Sequence, residues 1–305
     1  MITGRRIPHP IPYQGSKREI AHRILPLFPK DSVRLFEPFA GSSAVSLAAA
    51  ANGLVDKIVL NDINIPLMGL WKRIIYEPGE LLETYTRLWN QQLGKEREFY
   101  DRVREKFNKT HHPDLLLYLL ARCVKASVRY NANGEFNQSP DNRRRGARPE
   151  TMALRVLGAS RLLSGITVLR HVDSMKAIND ATPDDVIYMD PPYQGVCGGR
   201  DNRYSSGLPF DQFCEDLHAM NERGLSFIIS YDGRSGEKKY GNSLPEYLSL
   251  KHIEVNAGVS SQATLLGRKV ETVESLYLSH RLVRRIGATR IRESIPAKQA
   301  QLTFF

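Results

Sequence analysis

The residues Val186-Ile187-Tyr188-Met189-Asp190-Pro191-Pro192-Tyr193 constrain this chain more than any other stretch. Four apolar residues of strand type run into an acid, and the two prolines that follow cannot donate to a sheet ladder. The first proline also biases the residue before it towards an extended conformation. Asp190 is therefore expected at the carboxyl end of a strand, the edge where open α/β sheets bind their ligands.

What stands at that edge suggests a chemistry. An exocyclic amine of a nucleobase is a poor nucleophile, because its lone pair is delocalised into the ring. Asp190 and the Pro191 carbonyl are two acceptors that can hold its N–H groups and turn the lone pair outward. Tyr193 offers a flat face for a base swung out of a duplex, and such stacking is worth roughly 1–3 kcal/mol per base. The competing reading is a strand-ending turn with an ordinary surface tyrosine.

Upstream stretches add the parts that such a crevice needs. In Tyr13-Gln14-Gly15-Ser16-Lys17 the glycine permits a sharp turn, and Ser16 is expected to cap an amphipathic helix carrying Ile20, Ile24, Leu25 and Leu27. Lys17 then falls in a first helical turn, where positive charge opposes the macrodipole; it is either a solvated lysine or one placed for an anionic ligand. Residues 33–43 read as a strand, a glycine turn at Gly41 and the cap of a small-residue helix, the opening of a nucleotide-type βα unit. A strand at 57–60 ends in Asn61-Asp62, about twenty residues past the Gly41 turn, which places an acid for the two hydroxyls of a ribose. No GxGxxG is present, so a dinucleotide is not implied.

From residue 66 to about 150 the periodicity is helical, with helices expected at 67–76, 80–93, 96–108 and 114–128. That run is too long for a single crossover and reads as an inserted lobe. It ends in Arg129-Tyr130-Asn131-Ala132-Asn133-Gly134-Glu135-Phe136-Asn137, where Asn-Gly signals a tight hairpin. Tyr130, Asn131 and Asn133 at its tip are of types that wedge between base pairs or contact base edges. The basic run Arg143, Arg144, Arg145 beside it is either a solvated loop or a phosphate contact. A helix at 150–163 leads back to the α/β pattern. A strand at 166–170 precedes Asp173, an acid suited to the amino group of an adenine ring. A long Gly- and Ser-containing loop at 194–208, expected to close over a ligand, precedes a helix at 209–222. A strand at 225–230 and a closing pair at 246–255 and 273–279 complete the sheet, while residues 280–305 show no clear periodicity.

Composition narrows the partner. The 305 residues carry a formal net charge of +10 and a pI near 9.5, which suits a polyanion such as nucleic acid. Cys123, Cys197 and Cys214 have no CxxC pairing, so neither a disulfide framework nor a structural zinc site is expected, and they read as thiols of a reducing compartment. No apolar run approaches the ~20 residues that span a bilayer, and the first residues lack a signal-peptide core, so no membrane association and a cytoplasmic location are expected. The eight scattered histidines support neither a metal site nor a Ser/His/Asp set.

Five separated blocks occur in an order that resembles the Dam-like (D12 class) adenine-specific DNA methyltransferases: Tyr13 to Lys17, Glu37-Pro38-Phe39-Ala40-Gly41, Asn61-Asp62-Ile63-Asn64, Arg129 to Asn137, and Asp190 to Tyr193. The resemblance covers about residues 10–280. It implies an α/β fold, a Rossmann-like S-adenosylmethionine-dependent methyltransferase sheet. The catalytic core would be residues 1–65 and 150–285, the inserted helical target-recognition domain 66–149 with its hairpin at 129–137, and the basic tail 286–305. It implies S-adenosyl-L-methionine as donor and S-adenosyl-L-homocysteine as product, with Tyr13, Lys17, Glu37, Phe39, Gly41, Asp62, Ile63, Asp173 and Asp190 near the donor and no metal. Asp190, Pro191, Pro192 and Tyr193 would be catalytic, and Arg129, Tyr130, Asn131, Asn133, Arg143, Arg144 and Arg145 would contact double-stranded DNA. Ser43 departs from the glycine common there in the family. The implied activity is site-specific methylation of N6 of a flipped adenine by a monomer, in a restriction-modification or phage setting where a cognate endonuclease acts separately. N4-cytosine methylation, N6-adenine methylation of RNA and non-catalytic DNA binding are the alternatives.

Replacing Arg143, Arg144 and Arg145 together by alanine is expected to flatten the salt dependence of DNA binding, by roughly 0.9 in the log–log slope for each phosphate no longer neutralised. A titration of affinity against salt concentration checks this, and an unchanged slope removes the run from the interface.

Overall fold

The computed structural model describes residues 7–192, 209–235, 238–240, 243–259 and 271–294. Its sheet takes β1 (Arg34–Glu37), β2 (Lys57–Asn61), β3 (Thr167–Arg170), β4 (Val186–Met189), β5 (Phe227–Ser235), β7 (Lys251–Val259) and β8 (Glu271–Leu278) in the order β3-β2-β1-β4-β5-β8-β7. The first five run parallel; β8 is antiparallel to both β5 and β7, and the short β6 (Lys238–Tyr240) pairs with the end of β5. The chain winds outward from β1 through β2 to β3, then returns to place β4 on the other side of β1. The carboxyl ends of β1 and β4 therefore flank a topological switch point, where a crevice opens in such sheets. This is the Rossmann-like α/β architecture expected from the sequence.

Alternation decides what each face carries. Leu35, Ile58, Leu60, Val186, Tyr188, Ile228, Leu276 and Leu278 point to one face and join a large core with the helices, whereas Phe36, Val59, Ile187, Met189, Phe227, Ile229 and Tyr277 point to the other. Strands buried on both faces read as continuous apolar runs, as VIYM does in β4. The second face is covered by α9 (Phe210–Glu222) through Phe213, Cys214, Leu217 and Met220. The first is covered by α2 (Ala44–Ala51) and by the helices α3 (Ile65–Tyr76), α4 (Pro78–Gln91), α5 (Glu96–Thr110), α6 (Pro113–Arg122) and α7 (Pro149–Leu163). The helical insertion thus shares one continuous core with the sheet through Leu67, Leu70, Trp71, Leu116 and Leu120.

Several boundaries differ from the sequence expectation. The helix expected after Ser16 is broken into a turn at Lys17–Glu19, a short α1 (Ala21–Ile24) and a turn at Leu25–Leu27 around Pro26, which cannot donate a helical hydrogen bond. Ser16 makes no cap; its hydroxyl accepts from Ser42 at 2.8 Å. Helix α6 ends at Arg122 because Cys123 turns extended at φ -77° and ψ 158°, and Lys125 and Ala126 beyond it take left-handed backbone at φ 60° and 51°. The strand expected from residue 246 begins at Lys251, after a turn at Glu246–Leu248 closed by Ser249 at φ 51°. The tail is ordered further than its composition suggests: His280–Ile286 is a helix capped by the Ser279 side chain, Ala288–Ser294 is another, and Leu282, Ile286 and Ile291 are buried. Arg285 fixes the first of these helices by donating to the carbonyls of Pro183 and Asp185 at 2.9 and 3.0 Å.

The strand ends that frame the crevice are locked by one buried side chain. Asn61, at the end of β2, donates to the carbonyls of Pro38 and Val172, each at 3.0 Å, and accepts from the Val172 N–H at 2.9 Å. It thereby ties the segments following β1 and β3 to β2. Asn61→Ala leaves the buried Pro38 carbonyl and the part-buried Val172 groups without this partner, at about 1–3 kcal/mol for a group kept from water. Denaturant unfolding is expected to show a loss of about 2–4 kcal/mol, and a change under about 0.5 kcal/mol would contradict the clamp.

Candidate active site

Three carboxylates gather where adjacent strands end: Asp62 after β2, Glu37 at the end of β1 and Asp190 after β4. Glu37 is buried and accepts from the Ser46 hydroxyl and, at 3.2 Å, from the Ser46 N–H in the first turns of α2. Burial pushes its carboxyl up to about 8 despite those bonds, and the charges of Asp190 and Asp62 push it the same way. Asp62 accepts from the Gly41 N–H and the Asn64 N–H, each at 3.0 Å. Burial raises its carboxyl too, while these two donors oppose the rise.

Asp190 is held differently. The Lys17 ammonium lies 2.9 Å from its Oδ1, with 9% of the lysine side chain exposed and 23% of the aspartate. The same ammonium stands 3.7 Å from Oε2 of Glu274 on β8 and donates to the Gly15 carbonyl at 3.4 Å. Lys17 is therefore no solvated lysine. It is the cation that neutralises the acid at the end of β4.

Gly41 shapes the crevice floor. Its φ of +47° is left-handed, and a Cβ there would meet the Tyr13 ring at 3.3 Å, so only glycine allows Tyr13 to lie over this turn. Its carbonyl accepts from the Trp71 indole at 2.9 Å. Ser43 also takes left-handed backbone, at φ 47° and ψ 40°, and is fully buried. A glycine at this position would relieve a strain of about 1–2 kcal/mol, which accounts for glycine as the residue common there.

The structure thus brings Tyr13, Lys17, Glu37, Gly41, Asp62 and Asp190 to one edge. Phe39 packs half-buried on the second core, and Ile63 stands 69% exposed beside Asp62, an apolar surface at the rim. Asp173 is exposed and caps α8 (Ser174–Ala177), accepting from the N–H of Met175 at 2.9 Å and of Lys176 at 3.4 Å through Oδ1. Pro191 is buried and Pro192 half-buried; Tyr193 and the loop at 194–208 lie outside the described residues, as does Cys197.

The hairpin forms as expected, with Tyr130 bridging Phe136 and the Asn131 N–H donating to the Glu135 carbonyl at 2.8 Å. Its side chains divide unequally. Tyr130 turns inward: it packs edge-on to Phe136, its hydroxyl accepts from the Asn64 amide at 3.3 Å, and burial raises it to about 12. Asn131 builds the turn by accepting from the N–H of Asn133 and Glu135. Asn133 is left as the exposed polar group of the tip, and Arg129 is half-buried. Arg143 and Arg144 are exposed and share Asp141, and Arg145 pairs with Glu96 at 3.0 Å. Sequence reasoning gave Asn61 no role and missed Glu274; the signal for the latter is an acid inside the apolar strand Val273 to Leu278.

Among the described residues no group of three or more His, Cys, Asp or Glu side chains can hold a metal. No described helix is long and apolar enough to cross a membrane. Three converging acids, two of them raised by burial, suit an organic cation. The donor named by the sequence resemblance carries a sulfonium and an ammonium, and so fits this set.

The comparisons with known proteins agree with that chemistry. The family model described as D12 class N6 adenine-specific DNA methyltransferase matches residues 13–260. The modification methylase StsI of Streptococcus sanguinis is 25% identical over 283 residues, covering 85% of this chain and 41% of that protein. The DNA N-6-adenine-methyltransferase of Escherichia phage P1 is 30% identical over 234 residues, 72% of this chain and 29% of that protein. The retron Ec67 DNA adenine methylase of Escherichia coli is 29% identical over 247 residues, 76% of this chain and 80% of that protein. The chain accordingly spans less than half the length of the first two.

Glu37 supplies a pH test. Its folded carboxyl lies above the ordinary value of 4.5, so the folded state binds the extra proton and stability falls as pH rises from about 4.5 to about 8. Glu37→Gln, which keeps an acceptor for Ser46, is expected to reduce that fall in unfolding measured across pH 5–8. An unaltered pH profile would contradict the buried, raised carboxyl.

Proposed function

Because this chain belongs to the D12 class of N6 adenine-specific DNA methyltransferases, we propose that it transfers a methyl group to N6 of an adenine turned out of duplex DNA. The observation that carries the proposal is the position of Asp190: a carboxylate at the switch point, held by Lys17 and flanked by the buried Glu37 of β1 and the half-buried Asp62 that follows β2. The donor is S-adenosylmethionine, which supplies an electrophilic methyl whose bond to sulfur breaks as the bond to N6 forms, leaving S-adenosylhomocysteine.

Each residue then has a task. Tyr13 over Gly41 closes one wall around the donor, Glu37 presents a buried carboxyl to it, and the Asp62 carboxylate, held in place by two backbone N–H groups, offsets its positive charge and faces the ribose hydroxyls. Ile63 offers the donor's base an apolar rim, and Asp173 its amino group an acceptor. Asp190 and the Pro191 carbonyl hold the two N–H groups of the target amine, which turns its lone pair towards the methyl. As N6 becomes cationic the carboxylate stabilises the developing charge, and the N6 proton leaves after the methyl has moved. Tyr193 supplies the stacking face.

Residues 66–149 with the hairpin form the target-recognition region in this reading, with Arg129, Asn133 and the run Arg143 to Arg145 towards DNA. Tyr130 and Asn131 act there by fixing the hairpin rather than by reaching out from it. A monomer suffices, the cytoplasm is the expected compartment, and an endonuclease of the same specificity is the natural partner in a restriction setting.

Asp190→Ala is expected to lower methyl transfer to duplex DNA by about 10²–10³-fold, while donor affinity measured by calorimetry changes by less than about fivefold, a shift of about 1 kcal/mol. Transfer at the wild-type rate would remove Asp190 from the chemistry.

A further inference from the structure

We propose that Glu274 is the second seat of the Lys17 ammonium: a positioning residue that draws this cation off Asp190 when the target amine arrives. The inference rests on the functional reading above, because only an amine entering at Asp190 creates the need for a second seat.

The geometry places all three groups on one face of the sheet. Along β4, Val186 and Tyr188 point to the face of the larger core, and Asp190 continues that alternation; along β8, Leu276 and Leu278 share that face, and Glu274 continues theirs. Strand β5 lies between: it brings Ser230, small and fully buried, to this face opposite Leu276, and Gly233, past a register shift, opposite Glu274. Lys17 reaches across from its own turn, with its ammonium 2.9 Å from Asp190 Oδ1 and 3.7 Å from Glu274 Oε2. Exchange between the two seats is therefore a movement on the order of an ångström and needs no backbone change.

Charge balance gives the movement a purpose. In the described arrangement Lys17 occupies an oxygen of Asp190 that the amine needs. It also places a positive charge beside the nitrogen on which transfer develops another. A lysine with 9% of its side chain exposed cannot leave one carboxylate without a replacement, since an unpaired ammonium in a dry site is costly. Glu274 is that replacement. With Lys17 seated on it, the carboxylate of Asp190 is released for the amine and the opposing charge is drawn back.

Glu274→Gln keeps the shape and removes the charge. Steady-state methyl transfer to duplex DNA is expected to show kcat lowered about tenfold, a loss of about 1.4 kcal/mol in transition-state stabilisation, with the KM for the donor within about twofold. Glu274→Asp is expected to restore most of the rate. The deciding readout is a cycle with Lys17→Met: in that background Glu274→Gln is expected to change kcat by less than about twofold, because no cation remains to be moved. Equal losses in both backgrounds, or a Glu274→Gln enzyme as fast as wild type, overturn the assignment of Glu274 while leaving the transfer reading intact. Absence of transfer by the wild-type chain overturns that reading itself, and the assignment with it.

Discussion

Carboxyl groups held together at the ends of three adjacent strands are the constraint on which the rest of this structure turns, and the crowding helps to keep the buried one, Glu37, protonated up to about pH 8. Glu37, Asp62 and Asp190 close off β1, β2 and β4, and each is kept in place by a different device: hydroxyl and backbone donors from α2, two backbone N–H groups, and a buried lysine. The devices come from the segments that the fold brings to the switch point. The start of α2 supplies Ser46, the Gly41 turn supplies an N–H, and the glycine turn before Lys17 delivers an ammonium from far along the chain. In the proposed reading a cationic methyl donor completes this set.

The scaffold is arranged to keep that edge rigid. Asn61 binds the segments after β1 and β3 to β2 from inside the core, and Trp71 of the helical insertion holds the Gly41 carbonyl. The hairpin is joined to the same edge: Tyr130 bonds Asn64, whose N–H holds Asp62 and whose side chain caps α3. An insertion that shares its core with the sheet and its hydrogen bonds with the turn after β2 can hardly shift without moving Asp62.

Much of this was legible in the sequence, for physical reasons. The DPPY stretch fixed the end of β4 because proline stops a ladder, and the Gly41 turn and Asp62 followed from the spacing of a βα unit. Asn133-Gly134 announced the hairpin. What escaped was of two kinds. Local competition escaped: Pro26 broke the first helix, and extended Cys123 stopped α6 early, ahead of left-handed Lys125 and Ala126, where the Ala126 carbonyl accepts from the Gln14 N–H. Partners distant in sequence escaped too. Lys17 read as either a solvated lysine or one placed for an anionic ligand, and only the fold shows Asp190 and Glu274 beside it. Tyr130 looked like a wedge for DNA, yet its ring packs on Phe136 and its hydroxyl bonds Asn64. The capped helix at 280–286 could have been found from Ser279 with Leu282 and Ile286 at helical spacing.

The most direct test of the central claim is nucleoside analysis of duplex DNA of mixed sequence after incubation with the protein and methyl-labelled S-adenosylmethionine. The account predicts label in N6-methyladenine. Label in N4-methylcytosine, in RNA offered in competition, or in no nucleic acid despite bound donor would contradict it.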